Sequence, residues 1–276
     1  MNIDKEGILQ LSAGDLIGQS VSILGIKGSG KSNTAAVLME ELLAGGVPIC
    51  VVDIAGEYHT LKTAFPQVTV IGRSIETETE IAVTPANVDA VAQASYAHGR
   101  SVVFDLSGIP SGMREDLLQL YFARVWREAA LRRIPLVIFL EEAQNWIPQR
   151  KTTTVKSLLV DIAAEGRKRG LSLVIIGQRS ARIDKDTLTQ SDISFLHRVR
   201  HPTDVNVYVD MLPRPATWVR DRVYSLHDGE ALVMIGDRVL RCKIRLRHTE
   251  HVGFTPTLAH VPSVQLSLLD LLGQGG

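Results

Sequence analysis

Short apolar runs alternate with amphipathic stretches along most of this 276-residue chain. Runs such as Ile49–Asp53 and Leu136–Leu140 are apolar at nearly every position, which is typical of parallel strands buried on both faces. Elsewhere apolar residues recur with the period of a helix, as in the long stretch Ser111–Arg133. Because strands that alternate with helices form βαβ units, the pattern predicts an α/β fold on a mostly parallel sheet.

The predicted elements follow one another in a regular order. Strands are expected at Val21–Leu24, Ile49–Asp53, Val68–Ile71, Ser101–Leu106, Leu136–Leu140, Leu171–Ile176 and Ser191–Val199, the last of the main strands. Helices are expected at Asn33–Leu43, Pro85–His98, Ser111–Arg133, where Ser111 is the predicted cap, Val155–Arg169 and Thr203–Met211. The turn Gly236-Asp237 joins two further strand-like runs into a predicted hairpin, Glu230–Ile235 and Arg238–Ile244.

One main domain is predicted, with a short flank on each side. Residues 1–20 are a lead-in too short to form a domain, and 21–248 form the main domain. The tail, 249–276, is apolar near its end at Val264, Leu266, Leu268, Leu269, Leu271 and Leu272. We expect this tail to dock on its own subunit or on a neighbouring one.

The composition narrows the class of protein. The formal net charge is zero, so any contact with nucleic acid has to come from a local concentration of charge. Cys50 and Cys242 lie in apolar runs and are expected to be buried free thiols, which indicates a reducing compartment. The first ten residues do not resemble a secretory signal, and no apolar run is long enough to cross a membrane. We therefore predict a cytoplasmic protein without a membrane partner.

A glycine-rich segment follows the first predicted strand, and it has the G-x-x-x-x-G-K-S pattern of a phosphate-binding loop, Gly25 to Ser32. Glycines let backbone N–H groups surround phosphate oxygens, and the helix that follows directs its positive dipole end at the anion. Lys31 is predicted to bind the β- and γ-phosphates of ATP, and Ser32 to bind Mg²⁺. The residues predicted to contact the nucleotide are Lys27, Gly28, Ser29, Gly30, Lys31, Ser32 and Asn33.

Acidic residues follow two of the predicted strands. Glu141 and Glu142 end the strand at 136–140, and we assign Glu141 to the metal side and Glu142 to the attacking water. Asp53 and Glu57 follow the second strand, where they face either the metal, its waters or the γ-phosphate. Two alternatives remain open from the sequence: N-capping acids for the first pair, and a strand-end turn for the second.

Two polar segments beyond these acids have a functional and an ordinary interpretation. Gln178 ends the strand at 171–176, where its amide can sense the γ-phosphate or the attacking water, or else satisfies a turn. The basic loop Gln149–Thr154 either contacts a phosphate backbone or is a solvated connector.

Together these segments resemble the ATPase core of the HerA/FtsK superfamily, and its HerA-type branch in particular. The matching stretches fall in family order within residues 20–245: GIKGSGKSNTAAVLMEEL, VVDIAGEY, VVFDLSG, LVIFLEEAQNWIP, AAEGRKRGLSLVIIGQRS and LHDGEALVMIG. The resemblance implies a RecA-like P-loop fold, hydrolysis of Mg²⁺-ATP, a homo-oligomer in the form of a hexameric ring, translocation on double-stranded DNA, and often a nuclease partner. The β-barrel that usually precedes this core is expected to be missing.

The resemblance also implies roles for single residues. Glu142 stands where the family has its catalytic glutamate, and Glu141 stands where the family usually has aspartate. Arg167 matches an arginine that completes the site of the neighbouring subunit, and Gln178 matches the sensor glutamine. The first hypothesis is thus a ring-shaped DNA motor, and the second is an ATP-gated scaffold for an effector such as a nuclease. A third is a nucleotide-binding protein with little hydrolysis, whereas a GTPase is disfavoured because the sequence has no N-K-x-D motif.

Overall fold

The computed structural model describes residues 1–73, 75 and 79–251. Within these residues, ten strands form one sheet in the order β10-β9-β8-β1-β7-β6-β2-β5-β3-β4. The strands are β1 (Ser20–Leu24), β2 (Ile49–Asp53), β3 (Val68–Gly72), β4 (Ile81–Ala82), β5 (Ser101–Asp105), β6 (Leu136–Leu140), β7 (Leu171–Gly177), β8 (Ile193–His197), β9 (Glu230–Ile235) and β10 (Arg238–Lys243).

Helices connect most of the parallel strands. They are α1 (Lys31–Ala44), α2 (Leu61–Ala64), α3 (Val88–Ala97), α4 (Ser111–Arg132), α5 (Thr154–Glu165), α6 (Lys185–Thr189), α7 (Pro202–Met211) and α8 (Ala216–Tyr224). Short 3₁₀ turns lie at Ala13–Leu16, Ala143–Asn145, Gly166–Arg169 and Ser180–Arg182. The predicted α/β architecture with a mostly parallel sheet is confirmed.

The two faces of the sheet bury two separate apolar layers. In β2, Cys50 and Val52 face one layer while Ile49 and Val51 face the other, as the two-residue period of a strand requires. The first layer is completed by α3, α4, α5, α7 and α8. The second layer is completed by α1 and by the N-terminal segment, from which Ile3, Leu9, Leu11 and Leu16 are buried. Residues 1–19 are therefore packed against the same core as α1.

The predicted hairpin is confirmed, and it extends the main sheet. β9 pairs with β8 and with β10, and both pairings are antiparallel. Ser191–Val199 was thus wrongly predicted to be the last main strand, because β9 and β10 continue the sheet beyond it. Cys242, on β10, and Cys50 are buried free thiols as predicted.

Three local predictions are corrected. Ser111 does not cap α4: Pro110 is the N-cap residue and Ser111 already has helical conformation, without a side-chain cap bond. The helix predicted to reach Arg169 ends at Glu165, and a tighter turn follows. The turn begins at Gly166, where an added Cβ would lie 2.7 Å from the Leu171 carbonyl oxygen. The third correction concerns the list of predicted helices, from which α2, α6 and α8 were missing.

The predicted docking tail lies outside the described residues, apart from Thr249, Glu250 and His251. Thr249 is buried, and its backbone and hydroxyl groups both donate to the Glu40 carboxylate on α1. No helix within the described part of the chain is both long and apolar enough to cross a membrane.

Candidate nucleotide-binding and catalytic site

The phosphate loop lies between β1 and α1 at the carboxyl edge of the sheet, the edge where open α/β sheets bind ligands. Backbone bonds tie it to the neighbouring strand ends: the Gly25 N–H donates to Gly177 at 3.2 Å and the Ile26 N–H donates to Arg198 at 3.0 Å. Gly30 has a φ of 110°, and a Cβ there would lie 2.9 Å from the Gly229 Cα. Only glycine fits this position, so the loop is locked between its neighbours.

A buried histidine, His197, packs against the phosphate loop and the first turn of α1. His197 ends β8, and its Nδ1 lies 2.8 Å from the Glu230 carbonyl oxygen, which can only accept a hydrogen bond. Its Nε2 therefore accepts from the Thr34 hydroxyl on α1, at 2.9 Å. Burial lowers the pKa of His197 to about 4, so the ring is neutral at physiological pH. The ring thus links β8, β9 and the first turn of α1.

Lys31 is almost completely buried, with a relative exposure of 7 %. In this structure its Nζ donates to the Ile26 carbonyl oxygen within the loop, at 2.9 Å. Burial lowers the pKa of Lys31 to about 8, while the nearby charges of Glu142, Glu141 and Glu57 oppose that shift. The predicted lysine and both predicted strand-end glutamates are thus close enough to interact electrostatically.

Asp53 and Glu141 form a buried pair of carboxyl groups at the ends of β2 and β6. Burial raises the pKa of Asp53 to about 6, and burial together with Asp53 raises the pKa of Glu141 well above its ordinary value. Asp53 Oδ1 accepts from the Gly56 N–H at 2.8 Å and Oδ2 from the Tyr58 N–H at 2.9 Å. In this structure Asp53 therefore holds the strand-end turn, which the sequence left open as the alternative. Its metal role stays a prediction.

Glu142 has a left-handed backbone conformation, with a φ of 47°, which is strained for a residue other than glycine. The turn directs its carboxylate between two amides from different strand ends. The Nε2 group of Gln178 donates to one carboxylate oxygen, and the Nε2 group of Gln144 donates to the other. The predicted water-activating glutamate and the predicted sensor glutamine are therefore in direct contact.

Arg167 lies at the opposite edge of the sheet from these residues. Its Cα is 3.2 Å from the position that a Gly18 Cβ would take, and Gly18 comes two residues before β1. The phosphate loop begins after the far end of β1, a strand about 16 Å long by the usual rise per residue. Arg167 is exposed and cannot reach the phosphate loop of its own chain.

The remaining predicted contact residues have different surroundings. Lys27 is exposed at the crest of the loop, and the buried Ser29 hydroxyl donates to the Ile26 carbonyl oxygen at 2.7 Å. The side chain of Asn33 binds the segment after β10: its Nδ2 donates to the Arg245 carbonyl oxygen and its Oδ1 accepts from the Arg247 N–H. A contact between Asn33 and nucleotide stays a prediction.

The acidic pair fits a magnesium ion shared with a nucleotide. Burial raises the pKa of Glu141 well above its ordinary value, and the like charges of Asp53 and Glu57 add to that shift. Within the described residues no group of three or more His, Cys, Asp or Glu side chains forms a metal cage. Mg²⁺ usually binds one or two carboxylates and completes its shell with phosphates and waters. That Ser32 and Glu141 hold such an ion stays a prediction.

Part of the chain is similar in sequence to known proteins. Residues 5–97 match the model of the family described as "Helicase HerA, central domain". The predicted resemblance to the HerA/FtsK superfamily of P-loop ATPases is thereby confirmed over this part of the chain. It is 27 % identical over 100 residues to the DNA double-strand break repair helicase HerA of Pyrococcus furiosus. That match covers 36 % of this chain and 18 % of the relative, so it spans about a fifth of the relative's length.

Solved structures agree with the superfamily's fold. VirB4 of Thermoanaerobacter pseudethanolicus has a TM-score of 0.62 at 15 % identity, covering 82 % of this chain and 89 % of that one. The genome packaging NTPase B204 of Sulfolobus turreted icosahedral virus 2 has a TM-score of 0.58 at 16 % identity, covering 82 % and 97 %. At such low identity these likenesses establish the RecA-like P-loop fold alone.

Two residues of the site were missed in the sequence. Gln144 was seen only as part of the acidic strand end, although its amide holds one oxygen of Glu142. His197 was seen only as part of a strand, although its ring supports α1. Their positions in the sequence could have pointed to both residues. Each lies close to the carboxyl end of a strand beside β1 or β7, where the ligand edge of the sheet is.

Proposed function

We propose that this chain is the ATP-hydrolysing core of a ring-shaped motor that acts on double-stranded DNA. The observation that carries the proposal is the contact of Glu142 with Gln178 close to Lys31. A carboxylate beside a phosphate loop can take the proton of an attacking water, and an amide that bonds to it can report whether the γ-phosphate is present. Glu142 is the general base in this proposal, and Gln178 is the sensor.

Phosphate binding is assigned to the loop and to the first turn of α1. Lys31 leaves the Ile26 carbonyl oxygen and binds the β- and γ-phosphates of ATP. A strongly negative ligand should keep Lys31 protonated despite its burial. Ser32 and Glu141 hold Mg²⁺ in this proposal, and the ion neutralises charge on the phosphates when it is bound. Glutamate in place of the usual aspartate at Glu141 lengthens the reach to the ion, so we expect slower turnover rather than none.

Arg167 completes the site of a neighbouring subunit in this proposal. This exposed arginine lies at the edge opposite the phosphate loop, away from the predicted catalytic residues of its own chain. Such an arginine, supplied in trans, contributes about 10³–10⁵ in rate in other NTPases. A homo-oligomeric ring, expected to be a hexamer, would bring the opposite edges of adjacent subunits together.

The support for DNA is a concentration of positive charge in an otherwise neutral chain. A cavity of about 510 Å³ lies beside the crest of the phosphate loop, and a second of about 500 Å³ adjoins it through Ala181 and Arg182. We call their cationic lining the basic surface; it consists of Lys27, Arg150, Lys151, Arg179, Arg182 and Arg200.

Most of the basic surface has no internal counter-charge. Within the described residues only Lys151 forms an ion pair, with Glu115 at 3.9 Å. The Asp204 carboxylate in the same wall is engaged by the Ser180 hydroxyl and the Ala181 N–H. The loop predicted to contact a phosphate backbone supplies Arg150 and Lys151. Unpaired cations of this kind fit the regularly spaced phosphates of a duplex.

The rate of ATP hydrolysis with and without duplex DNA tests the motor. We expect duplex DNA to raise kcat and the chain to displace streptavidin from a biotinylated DNA end. A rate that saturating DNA leaves unchanged, together with tight binding of a protein effector, would replace the motor with the ATP-gated scaffold.

A pair of charge variants tests the basic surface. The double variant Arg179→Ala, Arg182→Ala should lower DNA affinity and flatten the salt dependence by about two, since each lost phosphate contact removes about 0.9 from the slope. Arg100→Ala is the matched control, because this exposed arginine lies at the opposite edge of the sheet, just before β5. An equal effect of both changes would refute the assignment.

A further inference from the structure

Both carboxylate oxygens of Glu142, the proposed general base, accept hydrogen bonds from glutamine side chains. Gln178 donates to one oxygen of Glu142, and Gln144 donates to the other. The sensor role proposed for Gln178 does not explain Gln144, which approaches Glu142 from the 3₁₀ turn Ala143–Asn145. Hydrogen bonds to a charged group are stronger than those between neutral groups, so this second bond restrains the carboxylate further.

The other end of the Gln144 amide lacks a partner. Its Oε1 is buried and accepts no hydrogen bond from the described residues. An added Cβ on Gly177 would lie 3.4 Å from this oxygen, so the oxygen packs against the end of β7. An unsatisfied buried oxygen costs free energy, which makes this arrangement of Gln144 easier to leave than a fully bonded one.

Gln144 also lines the second cavity of the basic surface. Arg150, Lys151 and Arg182 surround the same space of about 500 Å³. The Gln144 side chain therefore lies between the catalytic carboxylate and the cations assigned to a phosphate backbone. A phosphate oxygen in this cavity would offer the Gln144 N–H a second acceptor. The N–H could then leave the Glu142 oxygen and donate to the phosphate.

We propose that Gln144 is a positioning residue that restrains Glu142 at rest and releases it when a DNA phosphate enters the adjacent cavity. The inference rests on the proposed function, because it joins that function's general base to its DNA surface. At rest, the Gln144 N–H occupies the oxygen that would otherwise accept a proton from water. With a phosphate bound, the N–H turns to the phosphate and that oxygen becomes free. Hydrolysis without DNA is thereby kept slow.

The test compares Gln144→Met with wild type in steady-state ATP hydrolysis, with and without duplex DNA. Methionine keeps the length of the side chain but has no N–H group. We expect the DNA-free kcat to rise about threefold to tenfold, which is the loss of one hydrogen bond, with an unchanged KM for ATP. Stimulation by DNA should shrink by the same factor. Gln67→Met, the same change at an exposed glutamine just before β3 and at the opposite edge of the sheet, should leave both quantities unchanged.

Two results would overturn the proposal, provided that the thermal midpoint shows each variant to be folded. If Gln144→Met lowers kcat equally with and without DNA, Gln144 only shapes the site. If the variant matches wild type, Gln144 has no role in turnover. The inference and the proposed function can fail separately. If DNA does not raise the kcat of the wild type, the proposed role in DNA handling is wrong. The ratio of the DNA-free kcat of Gln144→Met to that of the wild type would still show whether Gln144 restrains Glu142.

Discussion

The two edges of the central sheet are organised in opposite ways. At the carboxyl edge, side chains from several strand ends bond to one another, as Glu142 does with Gln178 and as His197 does with Thr34. At the amino edge, Arg167 and Lys168 extend from a 3₁₀ turn into solvent, and the described residues offer neither of them a counter-charge. The carboxyl edge is therefore a preorganised part of a catalytic site. The amino edge presents cations that have no counter-charge among the described residues.

This contrast bears on how the ATPase works. Preorganised charges lower the cost of reorganisation during the reaction, so once nucleotide binds the carboxyl edge needs only the proposed release of Glu142 from Gln144. At the amino edge only the 3₁₀ turn positions Arg167, and in the proposed function this arginine acts when another subunit approaches. In the proposed function, one catalytic site is therefore divided between two copies of the chain.

The largest expected effect is at Glu142. Glu142→Gln keeps the size of the side chain but removes the base, so kcat should fall by about 10²–10⁴ with little change in the KM for ATP. Steady-state ATP hydrolysis measures both quantities. A variant that turns over as fast as wild type would mean that the carboxyl edge lacks the general base assigned to it.

A smaller effect is expected from the histidine that supports the phosphate loop. The pKa of His197 is about 4 in the folded chain, below its ordinary 6.5, so the unfolded chain takes up a proton that the folded chain refuses between these values. Stability is full above pH 6.5 and falls as the pH drops toward 4, by at most about 3 kcal/mol from this group.

His197→Gln measures this contribution, because glutamine can also donate to one partner and accept from the other. Urea unfolding at several pH values should show a shallower acid loss in the variant than in wild type. Identical curves would contradict the view that a neutral, buried ring supports the carboxyl edge.

The smallest effect concerns the turn that carries Arg167. The Arg169 guanidinium stacks on the Trp126 ring at 3.9 Å, a contact worth about 0.5–2 kcal/mol. Arg169→Ala should lower stability by that amount and loosen the turn, with a fall in kcat of a few-fold in the assembled protein. Lys168→Ala, in the same turn and exposed, is the control for stability. Equal midpoints for the two variants would show that the amino edge is not held by this stack.

Much of the fold could be read from the sequence because the strands are buried on both faces. β2 and β6 have the bounds that their apolar runs predicted. The same pattern predicted that Glu142 and Gln178 lie at the carboxyl edge of the sheet, because both follow parallel strands. α8 could not be read this way, because of its nine residues only Val219 and Val223 are buried.

The missed contacts depend on geometry that apolar periodicity does not encode. Gln144 meets Glu142 only because the chain turns through a left-handed residue between β6 and the next turn. His197 meets Thr34 because β8 is adjacent to β1, an order that the sequence does not state. Asp53 illustrates the converse: its type and position suggested a metal ligand, whereas its oxygens accept backbone N–H groups in this structure.

The division of the catalytic site between two edges is tested most directly by mixing inactive subunits. Lys31→Ala removes function from the carboxyl edge, and Arg167→Ala removes it from the amino edge. Each variant alone should hydrolyse ATP very slowly. Mixed rings contain interfaces that join an intact Lys31 to an intact Arg167, so the account predicts that activity returns in part and peaks at intermediate ratios. No recovery at any ratio, in mixtures shown to co-assemble, would contradict a site shared between subunits.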